Sequence, residues 1–83
     1  MIYKDIYKNG TDPATGDPVS KLIRLGYEGT TLYVYEVVVV NEQEELVPSM
    51  VQPWKCNSDG TRSDFVDSED AFTWADSVKN TLF

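Results

Sequence analysis

Histidine is absent from the 83 residues. With it go the commonest general base near neutral pH, the usual metal ligand and every histidine-dependent triad. Cysteine occurs once, at Cys56. No disulfide can close within the chain, and no zinc site can be assembled from several thiolates. A lone thiol without an imidazole also lacks the partner that usually activates it. The expectation for Cys56 is therefore a small packed residue at a strand end. Disulfides normally brace small secreted domains, so their absence favours a reducing, intracellular home. No basic segment followed by an apolar core opens the chain, and no signal peptide is expected. The longest apolar run is far too short to cross a bilayer. The expected location is the cytoplasm, or the host cytoplasm if the protein is viral.

Basic residues are also scarce. Seven Lys and Arg stand against fourteen Asp and Glu, a formal net charge of −7. Such a surface repels nucleic acid and anionic membranes, so neither is expected as a partner. The imbalance is local. Residues 1–24 carry Lys4, Lys8, Lys21 and Arg24 against Asp5, Asp12 and Asp17. Residues 25–83 carry Lys55, Arg62 and Lys79 against eleven carboxylates, a net of −8. Hydrophobic residues make up 41% of the chain, enough for a folded core rather than a disordered chain. The length suggests a single domain spanning residues 1–83.

What is present is concentrated in one stretch. Thr31–Val40, TLYVYEVVVV, is dense in β-branched and aromatic residues, which favour a pleated strand over a helix. Odd positions place Thr31, Tyr33, Tyr35, Val37 and Val39 on one face. Even positions place Leu32, Val34, Glu36, Val38 and Val40 on the other. Both faces are mostly apolar, so a central strand is expected. Before it, Ile2–Lys8 alternates weakly and reads as an edge strand guarded by lysines. Residues 9–19 hold two Asp-Pro pairs and read as a loop whose Asp and Thr side chains bond their own backbone. Lys21–Tyr27 reads as a second strand with Ile23, Leu25 and Tyr27 on its apolar face, and Glu28-Gly29-Thr30 as a tight return.

After the central strand, NEQEE at residues 41–45 reads as a turn with gatekeeper charges. Leu46–Lys55 is extended but interrupted by Pro48 and Pro53, so an edge or bulged strand is expected. Asn57–Gly60 is a turn, and Thr61–Val66 a last short strand. Asp67 or Ser68 can cap a helix with Glu69 and Asp70 in its first turn. Its apolar stripe is Ala71, Trp74, Ala75, Val78 and Leu82, with Phe72 beside it. The fold class expected is α+β: an antiparallel β-meander of four to five strands with one C-terminal helix packed on one face.

No motif carries specific chemistry. The Asp59-Gly60 pair suggests a calcium loop. In the register of that motif, Lys55 and Val66 fall where carboxylates are required, so the match fails. The acidic residues are accounted for by turns and helix capping, and a catalytic pair would need a cleft that so small a domain rarely offers. No enzyme activity, cofactor or metal is expected. Tyr27, Tyr33, Tyr35, Trp54 and Trp74 can serve either as core or as interface.

The compact acidic chain without histidine is similar in general style to small accessory proteins carried by bacteriophages. The leading expectation is a non-catalytic protein-binding module, of which an acidic inhibitor mimicking nucleic acid is a variant. The alternative is a structural homo-oligomer subunit, and a small enzyme using carboxylates ranks last. If the odd face of the central strand lies under the helix, the even face is left open. Leu32, Val34, Glu36, Val38 and Val40 are then the candidate interface, for a partner protein or a second copy. Glu36 would need a cation such as Arg24.

Overall fold

The computed structural model describes residues 1–82, and of Leu82 only the backbone. Four long strands form an antiparallel meander: β1 (Ile2–Thr11), β2 (Pro18–Glu28), β3 (Thr31–Val40) and β4 (Gln43–Gln52), in the order β1-β2-β3-β4. A two-stranded ribbon, β5 (Lys55–Cys56) with β6 (Arg62–Ser63), follows, and then the helix α1 (Ser68–Leu82). The domain is therefore an α+β meander with a single helix among the described residues.

The strands run longer than the local pattern suggests because the turns are tighter. Between β1 and β2 only residues 12–17 leave the ladder. Asp12 N–H donates to the Asp17 carbonyl at 2.8 Å, and the Asp12 carboxylate accepts from the Ala14 N–H at 2.9 Å. Thr15 Oγ1 accepts from the Asp17 N–H at 3.3 Å. The Asp and Thr side chains thus hold their own backbone. Between β3 and β4 the turn shrinks to Asn41-Glu42, with φ of 51° and 68°. Two successive positive φ values match the right-handed twist of a two-residue hairpin, so β4 begins at Gln43, within the segment read as a turn. Pro48 stays in β4 because β4 is an edge strand and the register shifts beside it, between Val34 and Tyr35 of β3. The last strand is shorter than residues 61–66, since only Arg62 and Ser63 pair.

The helix lies against β1 and β2 on one face of the sheet. Ile6, Ile23, Leu25, Tyr27, Leu32 and Val34 from the sheet meet Ala71, Phe72 and Ala75 from α1, with Phe65 closing the end. Phe72 is part of this core rather than beside it, while Trp74 is only half-buried and Val78 sits at the margin. The Leu82 side chain lies outside the described residues. Each fully buried aliphatic chain contributes about 1.5–3 kcal/mol of transfer free energy. Tyr27 meets Phe65 edge-on at 6.3 Å between ring centroids, and Phe65 meets Trp74 at 5.6 Å.

The expected assignment of faces is reversed. The even side of β3 is the covered side: Leu32 and Val34 are 0% and 1% exposed. The hairpin register is the cause. A two-residue turn pairs Glu28 with Thr31, which sets Tyr27 opposite Leu32 and Leu25 opposite Val34. Directly paired residues share a face. The apolar side of β2 therefore carries the even side of β3 with it.

Candidate interface on the open sheet face

Of the five residues first considered for an interface, the fold buries two. Leu32 and Val34 belong to the core. Glu36 is half-buried and pairs with Lys21 at 3.2 Å, not with Arg24. Val38 is half-buried and Val40 exposed, both further along the helix-side face. Arg24 points to the opposite side of the sheet, as its even position in β2 requires. Cys56 is exposed rather than packed.

The other face is uncovered among the described residues. Its rows follow from the register. Tyr3, Gly26, Tyr33 and Val51 lie across one level. Asp5, Arg24, Tyr35 and Pro48 form the next. On this same face Tyr7 then pairs with Leu22 between β1 and β2, and Val37 with Leu46 between β3 and β4. Val39 pairs with Glu44 beyond them. Tyr3, Tyr7, Val39 and Val51 are 54%, 58%, 71% and 59% exposed. Tyr33, Tyr35 and Val37 are half-buried by their neighbours in the sheet.

Two local features shape this surface. Gly26 has no side chain, and Met1 and Tyr3 fold over it. A Cβ there would collide with the Met1 thioether and lie 3.3 Å from Tyr3 Cε1. Arg24 sits at the middle of the face. Its Nε and Nη2 donate to the two oxygens of Asp5 at 2.7 and 3.1 Å, and its guanidinium reaches Glu44 at 3.5 Å. The Arg24 hydrogen bonds hold the Asp5 carboxyl below its usual range. The Tyr35 hydroxyl is pushed up, first by desolvation and then by the neighbouring Tyr3, Tyr33 and Glu28. Tyr3 and Tyr33 flank Gly26 in one row, and Tyr35 follows beside Arg24 in the next.

The aromatic residues divide between the two roles. Tyr27 is core, Tyr33 and Tyr35 face outward, and Trp54 carries the Arg62 guanidinium 4.5 Å above its ring. Tyr3, Tyr7 and Val51 were missed as surface candidates. For Tyr3 and Tyr7 the signal is the constant pairing register of the β1–β2 hairpin, whereas Val51 reaches this face only because the β3–β4 register shifts between Val34 and Tyr35.

The NSDGTRSD loop, residues 57–64, is closed on itself. Asp59 accepts from both the backbone N–H and the hydroxyl of Thr61, at 2.9 and 2.6 Å, and these bonds lower its pKa. No helix among the described residues is long and apolar enough to cross a membrane. No protein-family model, curated protein or solved structure matches the chain.

Proposed function

We propose that this chain is a non-catalytic protein-binding module that holds a partner protein on the open face of its sheet. One observation carries the reading: a continuous outward surface of Tyr3, Tyr7, Tyr33, Tyr35, Val37, Val39, Leu46 and Val51 on a sheet whose only helix among the described residues packs on the other side. Contiguous exposed apolar patches often mark interfaces, and tyrosine is among the residues richest in interface hot spots. A reducing compartment suits the exposed Cys56 thiol, in keeping with an intracellular accessory or inhibitor role.

The test is site-specific photo-crosslinking in a lysate of the native host. A photoreactive phenylalanine analogue in place of Tyr7 should yield discrete higher-mass products, and the same group in place of Glu69 on the helix should not. Equal labelling from both positions, or none from position 7, removes the open face as the binding surface. Light scattering of the purified chain separates the alternative: a homo-oligomer joined through this face makes the protein a structural subunit.

A further inference from the structure

We infer that the open face takes a cationic partner: a segment that alternates Arg or Lys with apolar residues and lays its positive groups on Glu44 and over the tyrosine rings. This rests on the binding role proposed above and names the chemistry of the partner.

The strand register decides which charges each side of the sheet receives. Lys4, Lys8 and Lys21 all lie on the helix side, by their pairing with Leu25, Lys21 and Lys8. The open face receives Asp5, Glu28 and Glu44, and Arg24 is the one lysine or arginine of the four strands that lies on it. That cation is already engaged. Arg24 gives two hydrogen bonds to Asp5, and its side chain is 24% exposed, against 41% for Asp5 and 57% for Glu44. The same bonds occupy both Asp5 oxygens, so the carboxylate of this cluster left most open is that of Glu44, which Arg24 reaches only at 3.5 Å, among exposed tyrosine rings and valines. Carboxylates accept and cannot donate. Tyrosine π-faces attract guanidinium and ammonium groups. A partner that satisfies the surface supplies donors bearing positive charge, spaced among apolar groups that cover Val37 and Val39.

A second copy of the chain fits less well. Face-to-face pairing brings the same carboxylates together, in molecules that each carry a net charge of −7. Like charges set opposite one another weigh against that pairing.

The experiment uses the intact chain and two synthetic peptides of eight residues, one alternating arginine with leucine, the other glutamate with leucine. Backbone amide shifts are followed by NMR at 150 mM salt, where exposed charges beyond about 8 Å are screened. The arginine peptide should shift amides of β3 and β4 and bind at least tenfold tighter than the glutamate peptide. Glu44→Gln should weaken it about fivefold to tenfold, as loss of a close charge partner does. The double variant Asp64→Asn/Glu69→Gln removes two charges elsewhere and should leave it unchanged. Glu44 is 3.5 Å from Arg24 and exposed, so its neutral form keeps the fold, and a melt verifies this. If both control and Glu44 variants weaken binding equally, the attraction is bulk charge and the inference fails. If the glutamate peptide binds the face as well, or neither peptide shifts it while position 7 still crosslinks, the cationic partner is wrong and the binding role stands. A symmetric dimer through this face overturns both.

Discussion

Asp67 and Ser68 both have side chains able to cap the helix, and the structure chooses between them by one bond. The Asp67 carboxylate accepts from the Asp70 N–H at 2.8 Å, and the Asp67 carbonyl accepts the first helical bond from Ala71. Asp70 reaches back to accept from the Val66 N–H at 3.0 Å, so the two carboxylates satisfy donors in both directions. Asp67→Ala should lower stability by about 1 kcal/mol, and Ser68→Ala should be near neutral. Urea unfolding reads both, and equal losses would mean that the cap is elsewhere. Gly26 poses the opposite case, a position whose missing side chain makes room for others. Its φ needs no glycine, since the positive-φ glycines are Gly16, Gly29 and Gly60. The Cβ of Gly26→Ala meets the flexible Met1 side chain and the edge of Tyr3. Alanine in a strand is better than glycine by roughly 0.5–1 kcal/mol, so the melting temperature should hold or rise slightly. The Tyr3 ring resonances should move. A clear loss of stability would mean that the Met1 cover is part of the core.

At the scale of elements, α1 and the β5–β6 ribbon hold each other. Lys55 Nζ donates to both oxygens of Asp70 at 2.9 Å, and Trp74 Nε1 donates to the Cys56 carbonyl at 3.4 Å. Trp74 is half-buried against Phe65, so Trp74→Ala should cost about 2 kcal/mol, less than the 3–5 of a fully enclosed ring. Leu25→Ala, in the middle of the core, should cost about 2–5 kcal/mol. Calorimetry that ranks Trp74 above Leu25 would contradict the packing. The meander, the bounds of β3, the edge character of β1 and β4, and the helix were all legible in apolar spacing and turn residues. The open face was not. Both sides of β3 look alike, and tyrosines suit a core as well as a surface. The information that separates them lies in pairing between strands. Reading Ile23, Leu25 and Tyr27 as the apolar side of β2, then folding over Gly29-Thr30, would have put Leu32 and Val34 inside. The partner of Glu36 was misread for the same reason, since Arg24 and Lys21 lie on opposite sides of one strand.

For the whole molecule, the excess of acid sets the response to pH. Asp5, Asp59, Asp70 and Asp76 all have pKa values lowered from 3.8, chiefly by hydrogen bonds to Arg24, Thr61, Lys55 and Lys79 respectively. In the unfolded chain these carboxyls take up protons at a higher pH than in the fold. The stability they contribute is therefore present above the unfolded value and lost as pH falls through the folded value. Exposed pairs are screened and count for little. Asp70 should dominate, because it and Lys55 are the most enclosed of these pairs, with side chains 28% and 24% exposed, and because it also accepts from the Val66 N–H. Denaturation midpoints should stay level from pH 7 to about pH 5 and decline towards about pH 2. Asp70→Asn cannot lose a carboxylate it no longer has, so its decline should be shallower. It should also start from a lower midpoint at pH 7, where the ion pair with Lys55 is missing. A wild-type midpoint that rises on acidification would mean that relief of repulsion among the fourteen carboxylates outweighs these bonds. An Asp70→Asn curve parallel to wild type would place the acid sensitivity on other groups.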